Sequence, residues 1–423
     1  MSRRSLNGRI SLALPCIFVI LTCLAGCRKP QATPGPTPPP TPPIPPTPID
    51  VDDRIVSANT TFAFDLLAEL LGDGPSENVF ISPSSVAIAL AMAYNGALGE
   101  TRQAMAETLA LGEMTLEEVN QANADLLASL KQAEPAVELA IANSLWARQG
   151  IPFVPEFLAA NDEVYHAKVT ELDFDDPGAV RTINAWVKDQ TRGKIAEIIR
   201  APISDLTILF LINATYFKGR WADEFDPDRT RDAPFTLLDG ADKTVPMMSR
   251  DGEYPYYRGE GFQAISLPYI DKRVSMYVFL PDEDSSLAAF CAQLTAEKWD
   301  GWLQQFGEAE GYIALPRFES EYEAVLNDAL SALGMEIAFD QGRADFHAMR
   351  QTTSPIWINE VRHKTFVEVN EEGTEAAAVT SVEMAEDEGE GGFYIVVNRP
   401  FCCAIRDNES GTVLFMGAIV DPQ

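Results

Sequence analysis

The chain has 423 residues, and its 63 acidic and 32 basic side chains give a net charge of −31 at pH 7. A field of that sign repels nucleic acid and anionic membrane surfaces, so we expect no nucleic-acid partner. Beyond this exclusion, the charge indicates only a well-solvated surface.

The first 26 residues have the pattern of an export signal. Arg3, Arg4 and Arg9 precede an apolar run over residues 10–24, which is short for a membrane span. Residues 24–27, Leu-Ala-Gly-Cys, resemble the box at which bacterial lipoproteins are cleaved, which implies that Cys27 is lipidated. An ordinary signal peptide with an incidental cysteine is the alternative. With Arg28 rather than aspartate after the cysteine, we expect the outer membrane of a two-membrane cell; in a one-membrane cell the anchor would hold the plasma membrane.

Residues 27–53 form a linker, and 11 of the 19 residues from 30 to 48 are proline. Proline cannot pair in a sheet or continue a helix, so this segment favours an extended polyproline II conformation. At about 3.1 Å per residue it would span roughly 60 Å between the lipid and the folded part. A ligand for SH3-type domains is the alternative interpretation, and it suits an exported chain less well.

Residues 54–423 carry the folded part, and no second linker divides them. Helical periodicity dominates the first half, over residues 55–71, 86–97, 116–130 and 177–191. Strand-like runs dominate the second half, over residues 206–217, 274–280, 356–369 and 412–420. This segregation favours an α+β fold over a doubly wound sheet.

The most informative segment is 361–384. It begins as a strand with His363, Thr365, Val367 and Val369 on one face, and then reaches a run of small residues after Gly373. With a period of two, one face of that run carries no charge, so it could lie exposed as a loop and also fit above a hydrophobic core. A short surface helix is the alternative, but the Glu- and Gly-rich residues 386–392 that follow have no helical face.

Residues 371–378 resemble the proximal hinge of the reactive loop of inhibitory serpins. Further resemblance to this family lies in NVFISPSSV from Asn78, ALAMAYNGA from Ala89, NATYFKGRW from Asn213, NRPF from Asn398 and LFMG from Leu414. The similarity runs in order over residues 56–422. It implies the serpin fold, with three β-sheets, about eight or nine helices and an exposed reactive loop at about residues 371–397.

The resemblance implies an inhibitor that traps a serine protease as a suicide substrate, with a cysteine protease as the alternative target. We expect no enzyme, because the three histidines belong to no HExxH motif and GxSxG, P-loop and CxxC patterns are absent from the sequence. We also expect no cofactor, no metal and a monomeric state. The rival is a non-inhibitory serpin-fold binding or structural protein, whose hinge would carry charged or proline residues on its inward face.

The resemblance also assigns roles to individual residues. Trp221 matches the tryptophan at the top of the central sheet, called the breach, where insertion begins. The polar cluster beneath the sheet, called the shutter, would consist of Ser82, Ser85, Asn213 and His363. The hinge would consist of Glu371, Gly373, Thr374, Glu375, Ala376, Ala377 and Ala378.

The scissile bond is expected after Asp387, before Glu388. The family's usual spacing from the hinge glutamate reaches Asp387, and the uncharged inward face ends independently at Met384. Such a site would suit a protease that cuts after acidic residues, since a buried carboxylate needs a paired cation. The loop is about two residues longer than the common pattern, so the bond could shift to Glu388 or Gly389. An elastase- or subtilisin-like enzyme could instead cut at Met384 or Ala385, and Glu386 is a further alternative.

Three cysteines remain after the signal and Cys27, namely Cys291, Cys402 and Cys403. The adjacent pair should point to opposite faces of a strand and fill the core. An odd count predicts no disulfide framework.

Overall fold

The computed structural model describes residues 48–133, 137–373 and 392–423. The signal segment, Cys27 and most of the proline-rich linker lie outside the described residues, as do loop residues 374–391.

The four predicted helices are confirmed, with small shifts at their ends. They are α1 (Asp53–Leu71), α2 (Pro83–Tyr94), α4 (Leu116–Lys131) and α6 (Gly178–Gln190), and α3 (Gly99–Thr108) and α5 (Pro155–Glu163) lie between them. Helix α4 begins at a capping box, in which Thr115 and Glu118 each accept a backbone hydrogen bond from the other residue. The later helices are short: α7 (Leu287–Cys291), α8 (Ala296–Leu303), α9 (Asn327–Leu330) and α10 (Glu336–Phe339).

Fourteen strands are present in the described part of the chain. They are β1 (Val79–Ile81), β2 (Val137–Arg148), β3 (Lys168–Leu172), β4 (Leu209–Gly219), β5 (Arg231–Thr236), β6 (Asp242–Gly259), β7 (Phe262–Pro268), β8 (Val274–Pro281), β9 (Gly307–Pro316), β10 (Phe318–Val325), β11 (Arg362–Val369), β12 (Phe393–Val396), β13 (Phe401–Asp407) and β14 (Val413–Ile419). The central sheet has the order β10-β11-β4-β2-β3. The other strands follow the order β1-β14-β13-β8-β7-β6-β9-β12, with β5 also on β6.

The three sheets expected from sequence are therefore seen as two hydrogen-bonded networks. The 18-residue strand β6 joins two of the expected sheets, because it pairs with β5 and β9 over most of its length and with β7 at its end. Sequence reasoning missed β6, since Pro246, Pro255 and several charges interrupt its apolar pattern.

Two neighbouring seams of the central sheet differ. The closed seam joins β2 to β4 in antiparallel register over eleven residue pairs. The open seam joins β4 to β11 in parallel register at two pairs, Thr215 with Thr365 and Tyr216 with Phe366. The predicted strand over 356–369 was too long, because the residues before Arg362 bond elsewhere: the Ile358 N–H donates to Ala338 and the Val361 N–H to the Asn327 side chain.

The larger sheet, which contains β13, divides the hydrophobic core into parts on its two faces. The predicted alternation in β13 is confirmed, since Cys402 lies in a core with α1 and α2 and Cys403 lies in the core on the opposite face. Among residues 48–133, 137–373 and 392–423, no helix combines the length and apolarity needed to cross a bilayer.

Candidate functional site

A cavity of about 390 Å³ lies where the amino-terminal halves of β4 and β11 separate. Helix α2 contributes Val86 and Leu90 to its lining, β4 contributes Leu209 and Leu211, and β11 contributes His363. The lining is largely apolar. Of the two strands that border the cavity, β4 pairs with β2 over eleven residue pairs but with β11 over only two. The cavity therefore lies between two strands of one sheet that pair at only two positions.

His363 is buried beside this cavity. Its Nε2 accepts a hydrogen bond of 2.9 Å from the backbone N–H of Ser82, directly before α2. Burial lowers the pKa of His363 from 6.5 to about 4, so the ring is neutral at pH 7 and its Nε2 is free to accept. The Ser82 hydroxyl donates in turn to the Leu414 carbonyl at 2.7 Å. This group attaches the start of α2 to β11 and to β14.

A second buried group attaches α2 to β4. The hydroxyls of Ser85 and Thr215 are in direct contact. Thr215 donates to Asn213 Oδ1 at 3.0 Å, and Asn213 Nδ2 donates to Asn143 Oδ1 of β2 at 2.7 Å. The four residues predicted to cluster thus form two groups, one on each side of the open seam; Ser82 of the first precedes α2 directly, and Ser85 of the second lies in its first turn.

Sequence reasoning missed Thr215, Thr365 and Asn143. Thr215 and Thr365 each follow a predicted residue by two positions, so the period of a strand would have placed them on the same face. The Thr365 hydroxyl donates to the Phe80 carbonyl. Asn143 has no such signal, because only the register of β2 with β4 sets it opposite Asn213.

Trp221 lies at the other end of the open seam, two residues after β4, and is buried. Its indole N–H donates to the Asn370 carbonyl at 3.0 Å, and its backbone N–H donates to the Glu372 carbonyl at 2.9 Å. The ring stacks on Tyr269 with centroids 4.7 Å apart. Trp221 therefore joins the exit of β4 to the chain leaving β11.

The first hinge residues lie against Trp221. Glu371 is buried, and its carboxylate accepts a 2.7 Å hydrogen bond from Thr230 and lies 3.5 Å from Arg317 Nε. Gly373 has φ +144°, and a Cβ there would lie 2.0 Å from the Gly219 carbonyl oxygen. Glycine is required because the backbone leaving β4 approaches so closely.

The remaining predicted residues lie outside the described residues and stay predictions. They are Thr374, Glu375, Ala376, Ala377 and Ala378 of the hinge, Met384, Ala385, Glu386, Asp387 and Glu388 around the reactive bond, and Cys27. Within the described ranges, no cluster of three or more His, Cys, Asp or Glu side chains is placed to hold a metal.

Residues 57–422 match the family described as "Serpin (serine protease inhibitor)". Human leukocyte elastase inhibitor is 37% identical, and the alignment covers 88% of this chain and 100% of that protein. The native structure of the thermophilic serpin tengpin has a TM-score of 0.81 at 31% identity, covering 89% of this chain and 96% of tengpin. Human thyroxine-binding globulin complexed with its ligand has a TM-score of 0.79 at 27% identity, over 88% and 99% of the two chains.

These comparisons confirm the predicted family and α+β fold. They also correct the expectation about enzymatic activity, which stated only that the chain is not an enzyme. What they support is a positive statement about inhibition, because the family is described as one of serine protease inhibitors and the human relative is named as an inhibitor of elastase.

Proposed function

Because the chain belongs to the serpin family, we propose that it traps a serine protease covalently and inserts its own cleaved loop into the central sheet. The observation that carries this proposal is the open seam, which is paired at two positions, borders a cavity and has the hinge at one end. We further propose that the protein acts as a monomer on a serine protease, with a cysteine protease as the alternative target.

The covalent step uses the chemistry of the protease. Its serine oxygen attacks the carbonyl of the scissile residue, the peptide C–N bond breaks, and the new amine leaves with the carboxyl-terminal part. The segment beginning at Thr374 is then free to add as a strand between β4 and β11. The bound protease is carried along and distorted, and its base and oxyanion donors lose the alignment that deacylation needs.

The described residues are suited to such an insertion. The cavity lining of Val86, Leu90, Leu209 and Leu211 would accept the uncharged face expected for the loop from Thr374 to Met384. The two hydrogen-bonded groups on α2 can exchange partners when β4 and β11 move apart. Each such bond contributes about 1 kcal/mol net, so the rearrangement costs little if every group finds a new partner.

The direct test is a denaturing gel after the protein is mixed with a panel of serine proteases. We expect a band that survives boiling, at the mass of the protease plus the inhibitor less its carboxyl-terminal fragment, and no such band with the same protease blocked at its active-site serine. Cleavage of the loop by every active protease without any covalent band would refute trapping. That result would favour the binding-protein alternative, which the likeness to thyroxine-binding globulin keeps open.

Cleavage is expected after Asp387, by a protease with a basic specificity pocket. Mass spectrometry of the carboxyl-terminal fragment released from the complex checks this. A new amino terminus at Glu388 supports the assignment, whereas one at Ala385 or Glu386 contradicts it.

We also propose that residues 1–26 direct export, that Cys27 is lipidated, and that residues 27–53 hold one inhibitory domain, 54–423, away from the cell envelope. The support is the Leu-Ala-Gly-Cys sequence after a basic and apolar leader, followed by the proline-rich run. The bacterial origin of the chain rests on the same resemblance.

Cys27→Ser should release the protein from membranes and leave its inhibitory activity unchanged. Two acyl chains hold a protein stably to a bilayer, and a chain that lacks them has no comparable anchor. The check is the protein's distribution between membrane and supernatant after washing without detergent, with Cys16→Ser as the control inside the leader. Equal retention of the wild type and Cys27→Ser would rule out lipidation.

A further inference from the structure

Two cysteines that lie far apart in the sequence meet beside the core. Cys291 is the last residue of α7, Cys402 is in β13, and their sulfur atoms are 3.5 Å apart. A disulfide needs about 2.05 Å, so the two sulfurs would have to approach by about 1.5 Å. A cavity of about 10 Å³ beside Cys402, Leu294 and Trp299 leaves room for a small shift.

We propose that Cys291 and Cys402 form a reactive dithiol that closes into a disulfide when the protein meets a small-molecule disulfide as oxidant. The odd number of cysteines argued against a disulfide framework, but Cys403 faces the opposite core and is the unpaired third. The pair is free in this structure. This inference does not depend on protease trapping.

The geometry also gives the order of the two steps. Cys291 is partly exposed and Cys402 is buried, so an external oxidant reaches Cys291 first. The hydrogen bond from Cys402 lowers the pKa of Cys291, and that bond together with burial raises the pKa of Cys402. The thiolate of the pair is therefore favoured at the accessible sulfur, as the attacking group in an exchange reaction should be.

The reaction balances as two successive thiol–disulfide exchanges. Cys291 Sγ attacks the oxidant, forms a mixed disulfide and releases one small thiol. Cys402 then loses its proton and attacks Cys291 Sγ, which releases the second small thiol and forms the protein disulfide. The two cysteines lose two electrons and two protons in total, and the oxidant gains them as two thiols.

The bond would enclose residues 291–402, which include β9, β10, β11 and the reactive loop. A cross-link that closes a long loop restricts the unfolded chain more than the folded one, so it should raise the midpoint of thermal unfolding by a few degrees. Exported proteins meet disulfide oxidants, and there the cross-link would persist.

The test uses the full chain, first reduced and then incubated with oxidised glutathione. Remaining thiols are alkylated, and peptides are mapped by mass spectrometry. We expect the peptides containing Cys291 and Cys402 to be linked in the wild type and in the matched control Cys403→Ser. Cys402→Ser should stop at a stable glutathione adduct on Cys291, and Cys291→Ser should leave Cys402 free for alkylation after unfolding.

The wild-type protein alone can overturn the proposal, so a variant that fails to fold does not obscure the result. A stable glutathione adduct on Cys291 with Cys402 still alkylated would show that the second exchange does not occur. Absence of any reaction at Cys291 would show that the pair is only packing. A linked product should also show the higher unfolding midpoint, and dithiothreitol should reverse it.

Discussion

The two seams that flank β4 differ in almost every respect. On the β2 side, eleven residue pairs form a continuous antiparallel ladder, and Asn143 lies opposite Asn213 within it. On the β11 side, two pairs hold the strands together, and a cavity lies between their amino-terminal halves. Backbone pairing is thus distributed unevenly within one sheet, and the less paired seam is the one that we propose opens during function.

Two kinds of side chain border the open seam. The open seam is bordered by polar groups that hold α2, such as His363 on Ser82 and Thr215 on Ser85, and by apolar residues with space beside them. Hydrogen bonds can be remade with new partners, whereas close-packed side chains resist displacement. The following changes test whether the open seam is the functional one.

Thr374→Arg should abolish covalent trapping and turn the protein into a substrate. If the loop inserts into the open seam from Thr374 onward, an arginine on the inward face would bury an unpaired charge, at a cost of several kcal/mol. Insertion would slow and deacylation would be completed first. The gel assay should show cleaved inhibitor and free protease in place of the covalent band.

The matched control is Glu375→Arg, on the face that the alternating pattern directs outward. That variant should still form the complex. Unchanged trapping by Thr374→Arg would mean that this hinge does not enter the seam.

Gly373→Ala should lower the stability of the uncleaved protein by about 4 kcal/mol, the combined cost of backbone strain and lost hydrogen bonds. The added Cβ would strain a residue at φ +144° and displace the backbone that now carries the bonds between Trp221 and Glu372 and between Asn370 and Gly373. The measurement is the midpoint of denaturant unfolding before any protease is added.

Gly301→Ala is the control for a glycine substitution, because Gly301 is exposed in α8 and nothing lies within 4 Å of its added Cβ. It should not lower the midpoint. If Gly373→Ala also left the unfolding midpoint unchanged, the hinge end of the open seam would not contribute to stability as proposed.

Acid should weaken the attachment of α2 to β11 through His363. Its pKa is about 4 in the folded protein against 6.5 for the free side chain, so between these values the unfolded chain binds more protons. Stability therefore falls as the pH drops below 6.5, by about 1 kcal/mol at pH 5.5 and about 3 kcal/mol at pH 4.

The midpoint of denaturant unfolding is measured across this pH range for the wild type and for His363→Gln. The difference between the two curves is the contribution of His363 to the pH dependence of stability. A glutamine carbonyl can accept the Ser82 N–H without titrating, so the variant should lose this part of the pH dependence. His166→Gln, at an exposed position, should keep it. Parallel curves for the wild type and His363→Gln would contradict the assignment.

Sequence reasoning was most successful where a pattern is local. The long helices follow from apolar periodicity. His363, Thr365, Val367 and Val369, predicted to share one face of β11, are all buried, although Lys364 and Phe366 of the other face are buried as well. It was wrong where contacts with distant segments determine the structure. The residues before Arg362 have the pattern of a strand, but their backbone N–H groups donate to residues of α9 and α10.

The candidate site divides in the same way. The resemblance named Ser82, Ser85, Asn213 and His363, and all four lie around α2 and the open seam. Their separation into two groups and the participation of Asn143 depend on strand register, which no local pattern contains. The short contact between β4 and β11 is also a property of two distant segments, and neither sequence alone predicts it.

The parallel direction of β4 and β11 determines how a strand added between them would pair. Strands β4 and β11 run the same way, and the chain turns back at residues 370–373 after leaving β11. A continuation entering between them would run opposite to both, so a single insertion would replace two parallel pairs by two antiparallel ladders. Antiparallel pairing is slightly more stable per residue and needs only a hairpin connection. If the loop inserts as proposed, the order and direction of the strands favour the inserted state before any side chain is considered.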